Sequence, residues 1–104
     1  MQKLKNHTKS LIINSFEIDT LDTITEKELE EMLAARVEDL LAHRLEFFFA
    51  AMYRMDVKED TIHHLLANDP KPAQAIARLI IQRQKEKQAS RDKYRSETDD
   101  LWDF

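Results

Sequence analysis

The stretch Thr25–His43, TEKELEEMLAARVEDLLAH, decides the fold class of this chain. Thr25 with Glu28 three residues on has capping-box spacing. The hydroxyl can accept from the N3 amide while the carboxylate accepts from the N-cap amide; Thr23 with Glu26 offers a second register. Behind the cap, Leu29, Met32, Leu33, Val37, Leu40 and Leu41 recur at helical spacing, with Glu30, Glu31, Glu38 and Asp39 mostly opposite. At about 100° per residue the apolar positions cover half the circumference, the pattern of an amphipathic surface helix.

Toward the C-terminus the stripe loses phase at His43 and Arg44. From Leu45 to Met55 apolar residues surround the axis, with only Glu46 and Arg54 polar. The spacing predicts a break near His43 and a short second helix that is buried on all sides. Asp56 and Glu59 suggest another capping box, followed by a helix over 57–67 carrying Val57, Ile62, Leu65 and Leu66. Asn68 stands where glycine usually closes a helix, and Asp69–Pro70 read as a new N-cap and first helical residue. The last helix is expected over 70–95. Ile76, Ala77, Leu79, Ile80 and Ile81 cover a wide arc, and the helix is expected to project beyond Gln82, where almost nothing apolar occurs until Tyr94.

Toward the N-terminus, residues 1–10 read as a mobile arm. Residues 11–18 (LIINSFEI) have strand propensity but no second strand to pair with, so they are expected to lie extended on the helices. The expected architecture is all-α: a small bundle of about four helices with an extended N-terminal arm and a projecting basic C-terminal helix. Residues 1–24 form the arm, 25–95 a single helical domain and 96–104 an acidic aromatic tail.

Composition narrows the function. No glycine occurs in 104 residues, where average usage gives about seven. That disfavours phosphate loops, dinucleotide fingerprints and nucleophile elbows, which need φ > 0 or close backbone approach. Cysteine is absent, so disulfides and thiolate metal sites are excluded. Neither a secretory leader nor a membrane-spanning run is visible, and a cytoplasmic protein is expected. The net charge of −4 conceals segregation. Residues 17–69 hold fourteen acids and five bases, residues 70–95 eight bases and two acids, and the tail four acids and no base. These blocks are expected to pair within the fold or across a homodimer.

No catalytic residue, metal site or cofactor is expected. Asp39–His43 and Asp60–His64 have i, i+4 spacing, but this is an ordinary way to solvate a helix surface. The leading expectation is a non-catalytic interaction or adaptor protein, homodimeric or bound to another protein. Phe47, Phe48, Ile76, Leu79, Ile80, Trp102 and Phe104 are its candidate partner-binding residues. Asp99–Phe104 resembles the acidic, Phe-terminated tails of bacterial single-stranded-DNA-binding proteins, which implies recruitment of a protein partner. It lacks the proline before the final Phe, and no OB-fold accompanies it. The alternative is a nucleic-acid-associated protein that neutralises phosphates with Arg83, Lys85, Lys87, Arg91, Lys93 and Arg95 on the last helix. No membrane partner or small-molecule substrate is expected.

Overall fold

A computed structural model of the chain describes the backbone over residues 3–102 and side chains over residues 3–93. The described residues form five helices and no strand: α1 Asn6–Ser15, α2 Glu26–His43, α3 Leu45–Arg54, α4 Glu59–Asn68 and α5 Pro72–Trp102. The all-α expectation holds. α2 packs along α5 as the central pair, α3 packs on α2, α4 packs on α5, and α3 touches α4.

α2 begins as its sequence dictates. Thr25 Oγ1 accepts from the Glu28 amide, and Glu28 Oε1 accepts from the Thr25 amide, both at 3.1 Å. These bonds hold the Glu28 carboxyl below its ordinary pKa, the Thr25 backbone contribution being the largest. Leu29, Leu33, Val37 and Leu40 are fully buried, each contributing about 1.5–3 kcal/mol relative to exposure. The helix ends at His43, and Arg44 (φ −141°, ψ 61°) separates it from α3, where a break was expected. That turn aims Phe48, Ala51 and Met52 into the core.

α3 is not enclosed on all sides as its composition suggested. Leu45 and Tyr53 are exposed. Phe47 is half-buried, with the Arg44 guanidinium 4.3 Å and the Arg54 guanidinium 5.7 Å from its ring centre. Phe49 stacks edge-on against Phe48 at 5.2 Å and lies 5.6 Å from the His63 ring. Cation–π and aromatic contacts thus cover faces that hydrophobic burial alone was expected to cover.

The N-terminal segment departs further from expectation. It is helical rather than extended, and it accounts for the fifth helix. Leu4, Thr8, Ile12 and Phe16, four residues apart, are all buried. Gln88 of α5 fixes its start. Gln88 Oε1 accepts from the Lys5 amide (3.0 Å) and the Thr8 hydroxyl (2.6 Å), and its Nε2 donates to the Lys3 carbonyl (2.8 Å). Gln88 therefore satisfies the amide of the N-cap residue Lys5, whose own side chain makes no capping bond. The following loop is tied back by Lys9 Nζ to the Ile24 carbonyl and Ser10 Oγ to Asp22, both 2.8 Å.

α5 stays engaged with the body well past Gln82, where it was expected to leave. Gln84 and Gln88 are buried, Gln84 Nε2 donates to the Met55 carbonyl at 2.7 Å, and Lys5 pairs with Asp92 at 2.7 Å. Its contacts here are made by amides and charges, which a hydrophobic pattern reads as surface.

The turns also differ from expectation. α1 and α3 both close in a Schellman motif. Glu17 and Ile18 donate to Asn14 and Ile13, and Asp56 and Val57 to Tyr53 and Met52. The left-handed residue is Glu17 (φ 53°) in one and Asp56 (φ 58°) in the other. Asp56 therefore closes α3 rather than capping α4, whose N-cap is Lys58. Asn68 remains helical, and Asp69 (φ −86°, ψ 133°) ends α4 in extended backbone. Asp69 Oδ1 accepts from the Lys71 amide at 2.8 Å, so α5 starts at Pro72, two residues later than Pro70.

Candidate functional site

A groove of about 800 Å³ lies between α2 and the α4–α5 connection. Ala34, Ala35, Leu41 and Ala42 form the α2 wall, and Pro72 and Ala73 face them from α5. The alanines leave room because they carry no side chain beyond Cβ. Opposite, Pro70 and Pro72 fix φ on either side of Lys71, and the Asp69–Lys71 bond holds the bend. The groove is thus built on stiff elements rather than on a loop free to collapse. Glu31 and Glu38 rise along the α2 side, and Lys71 and Gln74 along the α5 side.

The acids of α2 divide into two sets. Glu26 bonds Lys85 at 2.8 Å, Glu28 closes the capping box, Glu30 lies 3.4 Å from Arg78 and Asp39 lies 2.9 Å from Arg36. Glu31 and Glu38 are exposed and have no ion pair or hydrogen bond among the described residues. Both unengaged carboxylates belong to the groove.

The expected partner residues are dispersed. Phe48, Ile76 and Ile80 are fully buried in the core, which moves any partner face away from them. Phe47 is half-buried beneath two guanidinium groups. Leu79 is half-buried and lines a separate cleft of about 440 Å³ with Val57 and Thr61. The side chain of Trp102 and all of Phe104 lie outside the described residues.

The basic run divides too. Arg83 Nη2 donates to Asp56 Oδ2 at 2.6 Å and Arg83 Nε to the Asp56 carbonyl at 2.9 Å. The Arg83 hydrogen bond, then its charge and that of Lys87, pull the Asp56 carboxyl below its ordinary pKa. Arg83 is raised in turn, chiefly by its hydrogen bond to Asp56. Lys85 pairs with Glu26, and Lys87 lies 4.0 Å from Asp56. Arg91 and Lys93 are exposed and have no ion pair among the described residues. The side chain of Arg95 lies outside them.

The histidines choose other partners than their spacing suggested. Asp39 serves Arg36, His63 Nε2 lies 3.3 Å from Glu59, and His64 Nδ1 lies 3.3 Å from Asn68. No group of three metal-capable side chains occurs among the described residues. Nor is any helix of these residues long and apolar enough to cross a membrane.

The groove was missed in the sequence. Its signal was Ala34, Ala35 and Ala42 on a helix otherwise lined by Leu and Val, which reads as filler until the opposite wall is known. Comparison with protein families, with curated proteins and with solved structures returns no match to this chain.

Proposed function

We propose that this protein is a non-catalytic interaction protein that presents a fixed apolar surface to another polypeptide. The observation that carries this reading is the α2–α5 groove, lined by alanines of α2 and by the proline-braced bend before α5, with two carboxylates on its α2 wall that are unengaged among the described residues. Self-association remains part of the proposal. With Phe48, Ile76 and Ile80 in the core, it would use the exposed Leu45 and Tyr53 of α3.

A photo-crosslinking residue in place of Ala35, in the full chain, tests the reading in extract of the source cells. Discrete polypeptide adducts are expected, absent when the probe replaces the distant, exposed Asn6. Equal labelling from both positions, or none, overturns it. Light scattering at mid-micromolar concentration tests the dimer, and a monomer there removes it.

A second reading, nucleic-acid association, draws on Arg91 and Lys93, exposed one turn beyond the paired Arg83–Lys87 segment. Filter binding at about 50 mM salt, where phosphate contacts are strongest, decides it. Absence of binding there excludes this reading.

A further inference from the structure

The charge on the groove restricts what can enter it. Of the acids on α2, Glu26 and Glu30 are met by Lys85 and Arg78 of α5, Asp39 pairs with Arg36 of its own helix, and Glu28 is held in the capping box. Glu31 and Glu38 are left without a partner among the described residues, both on the groove wall. They are seven residues apart, two turns of α2, which sets their backbone positions about 10.5 Å apart along the α2 wall. Between them the wall offers Ala34 and Ala35, and beyond them Leu41 and Ala42. Alanine at a helix surface lets a second backbone approach closely, toward the short end of helix–helix distances.

Three occupants fit this poorly. The chain's own tail, residues 96–104, has four acids and no base, and would meet Glu31 and Glu38 with like charge. An antiparallel α2 from a second copy would set the same glutamates against their counterparts. Nucleic acid is repelled for the same reason. On the opposite wall Lys71 would repel a segment that is basic on both flanks. The complementary shape is a helix with a small apolar stripe and cations along one flank only.

We propose, building on the reading of this chain as an interaction protein, that the α2–α5 groove receives a basic amphipathic helix of a partner protein. Lysine or arginine at seven-residue spacing pairs with Glu31 and Glu38, and the apolar stripe of that helix packs on Ala34, Ala35, Ala42 and Ala73. The charges select the partner and its orientation, while the alanines set how closely it seats.

The test uses the full chain and two helical model peptides of about 20 residues, long enough to span the groove. One is built from Leu, Ala and Lys with lysine at every seventh position on one flank; in the other each lysine is glutamate. Fluorescence anisotropy and amide-shift mapping are the readouts. The lysine peptide should bind with Kd of about 10–100 µM, as expected of a small interface, and the glutamate peptide about ten-fold more weakly or worse. Amide shifts should centre on Ala34, Ala35, Ala42 and Ala73. The double variant Glu31→Lys/Glu38→Lys should reverse the order of the peptides, and Glu31→Gln/Glu38→Gln, a milder change, should erase the preference. Equal binding of both peptides, an order untouched by either double variant, or no binding of the lysine peptide at about 1 mM overturns the inference. So do Ala35 and Ala42 shifts that follow protein concentration alone, which would place a second copy in the groove. Polypeptide adducts from the Ala35 probe without any charge preference leave the interaction reading standing and remove this one.

Discussion

The turn after α1 and the turn after α3 solve the same backbone problem with the same parts. Each needs one residue in the left-handed region, and with no glycine in the chain each uses an acid, Glu17 or Asp56. Each acid is met by an arginine whose Nε also holds a carbonyl of the turn. Arg36 Nε reaches the Phe16 carbonyl at 2.8 Å, and Arg83 Nε the Asp56 carbonyl at 2.9 Å. Their tightness differs. Glu17 lies 3.5 Å from Arg36 and 3.4 Å from Arg44, whereas Asp56 accepts from Arg83 at 2.6 Å. Gln84 adds a bond to the Met55 carbonyl of the second turn. A left-handed acid is therefore best supported where its side chain is short and the helix packed across it supplies both a cation and an amide.

The largest expected effects come from the apolar anchors of the two turns. Phe16→Ala should cost about 3–5 kcal/mol and Met55→Ala about 2–5 kcal/mol, both read from urea melts. Phe16→Ala should also release amide-exchange protection over α1 alone, because α1 depends on this anchor and on Gln88. Equal loss of protection across α1 and α3 would mean that the two turns unfold together.

The buried glutamines come next. Gln88→Ala strands the Lys5 amide, the Thr8 hydroxyl and the Lys3 carbonyl, and should cost about 1–3 kcal/mol. Gln84→Ala should cost less, because Gln84 Oε1 is itself buried with no partner among the described residues, so the native amide is only half satisfied. The reverse order would imply that the Met55 carbonyl is the more important anchor.

Glycine substitution sharpens the comparison directly. Glu17→Gly relieves a left-handed residue whose ion pairs are long and exposed, and should raise stability by up to about 1 kcal/mol, some 4–8 °C in Tm at most for a domain of this size. Asp56→Gly gives up a short, charge-assisted bond for the same relief and should fail to stabilise. Equal Tm gains would remove the distinction drawn between the turns.

The smallest effect is in pH. The folded Asp56 carboxyl titrates below its unfolded value. Its contribution is therefore fully present above about pH 4, near the unfolded value, and is lost as the pH falls through the lowered folded value. Glu28 acts in the same direction through Thr25. Asp56→Asn should flatten the acid limb of urea midpoints measured between about pH 6 and pH 2. An unchanged limb would show that the Asp56–Arg83 pair does not persist in solution.

Features whose cause is local in the chain were legible. The capping box at Thr25, the stripe from Leu29 to Leu41 and the break beside Arg44 depend on neighbours within a turn or two. α1 was legible in principle through Leu4, Thr8, Ile12 and Phe16, but the strand propensity of residues 11–18 masks that four-residue spacing. The candidate site was not legible. Alanines signal nothing until a facing wall turns them into a groove, and which carboxylates on α2 stay unengaged depends on where α5 lays its cations.

By itself the sequence determined that this chain is helical, where α2 starts and stops, and that left-handed turns must be made without glycine, because these follow from local backbone preference and hydrophobic period. Tertiary structure alone decided which acids close the turns, that two glutamines are buried, and that Phe48, Ile76 and Ile80 lie within the core rather than on a partner face. It also decided that Glu31 and Glu38 border an open apolar groove. These outcomes depend on side chains brought together from distant positions, as Arg83 is to Asp56 and Gln88 to Lys5, and no spacing along the chain encodes that proximity.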